Sequence, residues 1–193
     1  MKAIMMSIKP KYVSMILNKV KTIELRKRFP SDYVGWVYIY VTKALPHLSK
    51  TYVGDYEVYD DTQWDKEWLD LNGKVVARFW CDKVEEITYY PKKPFDRYGT
   101  PYRATYDLLT ESCLEYDELD NYLNKNNGYA IHITKLEIFN KQKEISEFKT
   151  KLHIKGGCKN CPQNTGLSMS YCKTCDFILP LTRAPQSYCF IEI

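Results

Sequence analysis

The sequence contains no apolar run near the roughly 20 residues that a membrane-spanning helix needs, so we expect no membrane span. Its first ten residues are too short and too soon interrupted by Lys9 and Pro10 to form a secretory signal peptide. Internal repeats and low-complexity tracts are absent. Charged residues make up 27% and hydrophobic residues 45% of the chain, which argues against disorder. The 193 residues are therefore expected to form a folded, cytoplasmic protein of one domain with an appendage.

The seven cysteines are an odd number, which argues against a secreted disulfide framework. Two Cys-x-x-Cys pairs lie close together near the end of the chain, formed by Cys158, Cys161, Cys172 and Cys175. Two such pairs aim four thiolates at one point, which is typical of a structural zinc site with no position left for a catalytic water. Two disulfides or four unrelated thiols are the alternatives. The spacing favours zinc as a structural cofactor.

The other three cysteines, Cys81, Cys113 and Cys189, are predicted to be small buried residues.

The net charge of +4 hides an uneven distribution along the chain. Residues 1–50 hold ten Lys or Arg against two Asp or Glu, residues 51–120 hold eight against seventeen, and residues 121–193 hold ten against five. A basic segment suits a phosphate-bearing partner. A solvated surface of mixed charge explains the same counts.

Hydrophobic periodicity predicts many short strands with two helices between them. One helix is expected over residues 10–18, with Pro10 at the first helical position. The other is expected after a capping box formed by Ser112 and Glu115. This order predicts an α+β fold built on a small, mostly antiparallel β-barrel. We expect a barrel over residues 1–145, a small zinc-binding insert over residues 146–180, and a last strand over residues 181–193 that closes the barrel.

A basic stretch follows the first predicted helix. It contains five cations and one carboxylate within ten residues, namely Lys19, Lys21, Glu24, Arg26, Lys27 and Arg28. In a regular strand, Glu24, Arg26 and Arg28 would share one face, and Lys21 and Lys27 would lie on the other. The group is either an ion-pair network or a pocket in which arginine contacts phosphate and the carboxylate accepts from a base amino group. Spacing alone favours the network.

The chain resembles the ASCH domain family over most of its length outside the cysteine insert. The residues that carry the resemblance are Ser7 to Pro10 and Asn18 to Arg28, because the family pattern is Gly-x-Lys-x-x-Glu-x-Arg just after the first helix. Lys21, Glu24 and Arg26 match this pattern. Lys19 stands where the family has glycine, so the turn is expected to be made differently, through Asn18. Residues 181–189 resemble the ends of ASCH proteins from bacteriophages and prophages.

The resemblance implies a PUA-like fold, a β-barrel with a helix-lined cleft. It implies that Lys21, Glu24, Arg26, Lys27 and Arg28 contact RNA or another nucleic acid, or a modified nucleotide, in a module with a regulatory role. The alternative is an enzyme acting on a nucleoside or RNA, either an N4-acetylcytidine amidohydrolase or a ribonuclease, with Lys21 and Glu24 catalytic. The amidohydrolase branch has a threonine nucleophile where this chain has Glu24, which argues against that reaction. A protein-interaction role is a third hypothesis that no sequence feature supports directly.

Overall fold

A computed structural model describes residues 2–53, 56–62, 70–90, 101–103, 108–152 and 177–193, which fold mostly as β-strands. The α-helices are α1 (Pro10–Leu17), α2 (Leu108–Ser112) and α3 (Tyr116–Leu123). The first strands are β1 (Lys2–Ile8), β2 (Ile23–Arg26), β3 (Gly35–Val41), β4 (His47–Val53), β5 (Tyr56–Thr62), β6 (Val75–Cys81) and β7 (Val84–Tyr89). The remaining strands are β8 (Tyr102–Arg103), β9 (Gly128–His132), β10 (Thr134–Lys143), β11 (Lys149–Leu152), β12 (Phe177–Pro180) and β13 (Tyr188–Glu192), with a 3-10 turn at Ile145–Glu147. The predicted α+β class is confirmed.

The strands form two sheets and a hairpin. The larger sheet has seven strands in the order β10-β6-β3-β1-β13-β11-β12, and all its pairs are antiparallel except β1 with β3. The smaller sheet has the order β2-β9-β7-β8, and β4 pairs with β5. No closed barrel is found among the described strands. The last strand, β13, lies inside the larger sheet between β1 and β11.

Both faces of the larger sheet are covered by apolar side chains. Alternate residues of a strand point to opposite faces, and on β1 Ile4 and Met6 enter one core cluster while Ala3 and Met5 enter another. The first cluster lies under α1, which contributes Val13, Ile16 and Leu17. A third cluster joins α2 and α3 to one face of the smaller sheet. Within the described residues, no helix has the length and apolar character to span a membrane.

The end of α1 is a turn built on Lys19. The N–H of Lys19 donates to the carbonyl of Ile16 and the N–H of Val20 donates to that of Met15, both at 2.9 Å, which is a Schellman motif. Lys19 itself has φ +60°, the left-handed conformation that glycine favours at this position. The expectation that Asn18 makes this turn is wrong, because Asn18 has φ −80° and its side chain instead donates to the carbonyl of Tyr59 at 2.7 Å.

The predicted capping box is shifted by three residues. Ser112 is the last residue of α2, and Cys113 has φ +53°, which ends that helix. Glu115 is the N-cap of α3, and its N–H donates to the Glu118 carboxylate at 3.3 Å. The glutamate pair therefore takes the place expected for Ser112 and Glu115, and Ser112 is fully buried between the two helices.

Of the three isolated cysteines, Cys81 is buried as expected, whereas Cys113 and Cys189 are half-buried.

Candidate functional site

A cleft of about 600 Å³ lies between α1, α3, strand β2 and the end of β1. This volume falls within the range of small-molecule sites. Its polar wall contains Lys21, Glu24 and Arg26, and its aromatic side chains are Tyr12 and Tyr122. The remaining lining residues are Ser7, Ile8, Lys9, Leu25, Thr42, Leu114, Glu118, Asn121, Gln186 and Ser187.

Strand β2 places the carboxylate and the guanidinium on the cleft side. Ile23 and Leu25 point into the third core cluster beneath α2 and α3. Glu24 and Arg26 alternate with them along the strand and point to the opposite face. Pairing of β2 with β9 fixes this register, with Glu24 opposite Ile131 and Arg26 opposite Tyr129. The two charged side chains therefore face the end of β1, where the cleft lies.

Lys21, Glu24 and Arg26 form a buried ion triad. Glu24 lies between the two cations, with Oε2 3.6 Å from Lys21 Nζ and Oε1 3.1 Å from the nearest Arg26 nitrogen. The exposed fractions of the three side chains are 2%, 7% and 11% in chain order. Charges that are this deeply buried require partners of opposite charge, and within the triad each side chain has one. Two cations and one carboxylate leave the triad with a net charge of +1.

Backbone carbonyls hold the two cations in place. Lys21 Nζ donates to the carbonyl of Ser112 at 2.5 Å, and Arg26 donates to the carbonyl of Ser7 at 2.8 Å. Lys21 Nζ also lies 5.3 Å from the centre of the Tyr12 ring, within the range of a cation–π contact. The triad is thus anchored to the end of α2 on one side and to β1 on the other.

Two polar atoms of the cleft residues have no hydrogen-bond partner among the described residues. They are Arg26 Nε and Thr42 Oγ1, and both are buried. An unsatisfied buried polar atom costs about 1–3 kcal/mol. Both atoms belong to residues that line the cleft, and a polar molecule that reaches them would remove this cost.

Burial lowers the pKa of Lys21, and the neighbouring Glu24 carboxylate opposes this effect. A depressed pKa brings the neutral amine closer to the working pH range, which suits proton transfer.

Above the cleft wall, Lys11 and Glu118 join α1 to α3 through an ion pair of 2.7 Å, and this contact lowers the pKa of Glu118.

Stability should depend on pH through Lys21. In the range between its lowered folded pKa and its ordinary value of 10.5, the unfolded chain holds more protons than the folded chain, so stability rises with pH. We expect the free energy of unfolding of the wild type, measured relative to Lys21→Met, to increase with pH as the pH approaches the ordinary lysine value of 10.5. Urea denaturation of both proteins across this range measures it. A difference that falls with pH would contradict a lowered pKa.

The structure brings together three of the five predicted binding residues. Lys21 joins Glu24 and Arg26 although alternation along a strand predicts opposite faces, because β2 begins only at Ile23 and Lys21 lies in the turn before it. Lys27 and Arg28 are exposed and do not line the cleft, although Lys27 Nζ lies 5.5 Å from the centre of the Tyr122 ring.

Sequence reasoning missed Tyr12, Thr42 and Tyr122. The available signal for Tyr12 was its place on α1 beside the motif, since the first turn of this helix lies at the cleft. Thr42 and Tyr122 come from distant parts of the chain and carry no local signal.

The predicted zinc ligands, Cys158, Cys161, Cys172 and Cys175, lie outside the described residues. Within the described ranges there is no group of three or more His, Cys, Asp and Glu side chains that could hold a metal ion.

No protein-family model matches the sequence, and a search of curated proteins finds no match. Among solved structures, the chain is similar to the ASCH protein of Zymomonas mobilis, with 14% sequence identity and a TM-score of 0.45 over 74% of this chain and 73% of that chain. It is also similar to two single-residue variants of that protein, each with 13% identity and a TM-score of 0.44. These matches cover 74% and 73% of this chain and 75% and 72% of the respective variant chains. The names of these proteins are those of ASCH proteins, and residues 18–28 of this chain resemble the ASCH signature.

Proposed function

We propose that the chain is an ASCH-type nucleic-acid-binding module with a regulatory role, and that its cleft takes one nucleobase from single-stranded RNA or from a modified nucleotide. The observation that carries this proposal is the buried triad of Lys21, Glu24 and Arg26, with Arg26 Nε and Thr42 Oγ1 left without partners beside it. The proposal rests on the shape, the polarity and the aromatic content of the cleft.

The chemistry of the wall suits the edge of a base. The Glu24 carboxylate accepts from an exocyclic amino group, whereas Arg26 Nε donates to a ring nitrogen or carbonyl oxygen. Tyr12 and Tyr122 supply ring surfaces against which a flat base packs. Leu25, Ile8 and Leu114 give the cleft the apolar surface that excludes water around these contacts.

Burial of the triad favours a single base over a phosphate backbone. Side chains with at most 11% exposure cannot reach the phosphates of a duplex, whereas a base that is turned out of a single strand enters a cleft of this size. The exposed lysines Lys9 and Lys27 lie at or beside the cleft and are placed to contact phosphates next to the bound base.

The test is fluorescence anisotropy with short single-stranded RNA, duplex RNA and single-stranded DNA over a salt series. We expect binding to single strands to weaken at least about tenfold in both Lys21→Ala and Arg26→Ala. Arg26→Ala loses a donor to the base, and Lys21→Ala loses the cation that pairs with the Glu24 carboxylate. Lys27→Ala should instead reduce the salt slope by about one. The matched control is Lys149→Ala, an exposed lysine on β11.

Circular dichroism of each variant separates loss of binding from loss of folding. Equal binding by wild type, Lys21→Ala and Arg26→Ala would contradict the proposal, and so would affinity for duplexes alone. Competition by free nucleosides distinguishes a site for a base from a site that needs the whole strand.

A second candidate function is a hydrolase that acts on a modified nucleoside or on RNA. The observation that favours it is the lowered pKa of Lys21 next to the Glu24 carboxylate, since a buried amine and a carboxylate in contact can exchange protons with a substrate. An enzyme would convert RNA or N4-acetylcytidine, and chromatography of the reaction mixture would measure the conversion. Lys21→Ala should lose turnover, and Glu24→Gln should still bind the substrate. A binding module shows affinity without turnover.

A further inference from the structure

A second cluster of aromatic and basic side chains lies on the larger sheet, away from the cleft. It spans the neighbouring strands β3, β6 and β10, and we call it the aromatic platform. It consists of Trp36, Arg78, Trp80, Lys135 and Lys143. Trp36 and Trp80 are directly opposite each other in the β3–β6 pair, and their ring centres are 5.4 Å apart at an interplanar angle of 83°. Both rings are half-buried, so part of each remains at the surface.

Arg78 is held in a fixed position on this platform. Its guanidinium carbon lies 4.1 Å from the centre of the Trp36 ring, and it donates to the Tyr38 hydroxyl at 3.2 Å and to the Glu137 carboxylate at 2.7 Å. The side chain is still 29% exposed. A planar guanidinium that is fixed in this way offers a stacking surface. Its side chain is already ordered in the free protein, so binding a ligand costs little further conformational entropy.

The platform carries an excess of positive charge. Lys135 Nζ lies 5.9 Å from the centre of the Trp80 ring, and Lys143 Nζ lies 5.1 Å from that of Phe139, which packs against the Tyr38 ring. Among the described residues, the three cations Arg78, Lys135 and Lys143 stand beside the carboxylate of Glu137, whereas Glu144 is paired with Lys74. Alternating rings and cations along one sheet face match alternating bases and phosphates.

We infer that the aromatic platform binds single-stranded nucleic acid, with bases stacked on Arg78 and the two tryptophans and phosphates held by Lys135 and Lys143. This surface is separate from the cleft, because Trp36 lies near the start of β3 and Thr42 follows its end, six residues or about 20 Å away. It extends the proposed function from one base in a cleft to a strand that crosses the sheet.

The test uses the full chain and a fluorescein-labelled oligouridine of about ten nucleotides at low salt. We expect the double variant Lys135→Glu/Lys143→Glu to bind at least about tenfold more weakly than wild type. The matched control is Lys2→Glu/Lys125→Glu, which makes the same charge change at two exposed lysines off the platform. Lys2 alternates with Ala3 and so points to the opposite face of the larger sheet, and Lys125 follows α3 beside the smaller sheet. Arg78→Lys keeps the charge but removes the planar group, and we expect it to bind about threefold more weakly.

Tryptophan emission gives an independent readout of stacking. Wild type and the control should lose emission intensity on binding the oligonucleotide, whereas the platform variant should not. Equal weakening by the platform and control variants would overturn the inference, because it would show attraction by net charge alone. Unchanged binding in the platform variant would also overturn it.

The cleft variant Lys21→Ala separates the two proposals. If it loses discrimination among bases but still binds the oligonucleotide through the platform, both stand. If no cleft variant changes binding while the platform variant does, the proposed function of the cleft fails and the platform inference stands.

Discussion

Replacement of Glu24 by alanine is expected to destabilise the protein by about 3–5 kcal/mol, because it leaves the buried cations Lys21 and Arg26 without their carboxylate. The loss of a partner costs much more than the net contribution of the ion pairs, since both cations would then have to stay buried uncompensated or force the cleft open. Urea denaturation at neutral pH measures the difference as a lower transition midpoint at constant slope.

Two variants control this measurement. Glu24→Gln keeps an acceptor at the same place but removes the charge, so its loss should be smaller than that of Glu24→Ala. Glu57→Ala removes a carboxylate that is 45% exposed, pairs with Lys50 and accepts from the Tyr59 hydroxyl at 3.2 Å. Its cost is expected to stay below about 2 kcal/mol. Equal losses for Glu24→Ala and Glu57→Ala would show that the triad is not the buried unit described above.

This expectation links stability and recognition in one group of residues. Glu24 neutralises part of the charge of Lys21 and Arg26, and the same carboxylate is the proposed acceptor for a base amino group. A ligand that donates to Glu24 and accepts from Arg26 Nε would add hydrogen bonds where the free protein lacks one. Binding should therefore raise the unfolding midpoint of the wild type, and this rise should disappear in Arg26→Ala.

The structure brings together Lys21, Glu24 and Arg26, which the sequence had grouped, but the strand pattern predicted the wrong face for Lys21. Alternation along an extended segment separates Lys21 from Glu24 and Arg26, and it holds only from Ile23 onward. The Schellman turn at Lys19 brings Lys21 back to the end of the helix, where its N–H donates to the carbonyl of Met15 at 3.1 Å. The family resemblance grouped the three residues, whereas local periodicity did not.

Features that depend on distant contacts were the ones that local reasoning missed. Alternating apolar residues predicted many short strands but not their order in the sheet, because pairing of β1 with β13 joins residues nearly a whole chain apart. Thr42 and Tyr122 reach the cleft from β3 and α3 only after the sheets have formed. The buried serine Ser112 became a carbonyl acceptor for Lys21 for the same reason.

The cysteine pairs are the strongest sequence motif outside the cleft, and we propose that they bind one structural zinc ion. Strands β11 and β12 pair antiparallel, with Leu152 opposite Phe177, so the two ends of the segment that contains all four cysteines are held side by side. Because these flanking residues are already adjacent, less chain entropy has to be lost when the two Cys-x-x-Cys pairs bind one ion. Zinc binding by four thiolates contributes about 10–16 kcal/mol in small metal-dependent domains, which compensates for a segment with few apolar residues.

We therefore expect about one zinc ion per chain in purified wild type, none in Cys158→Ser/Cys161→Ser, and an unchanged content in the control Cys113→Ser, measured by atomic emission. Thiol titration after denaturation with a chelator and without a reductant distinguishes zinc from disulfides. All seven cysteines should react if zinc was bound, whereas three should react if the four formed two disulfides. Zinc content that persists in the double variant, or a count of three thiols, would contradict the proposal.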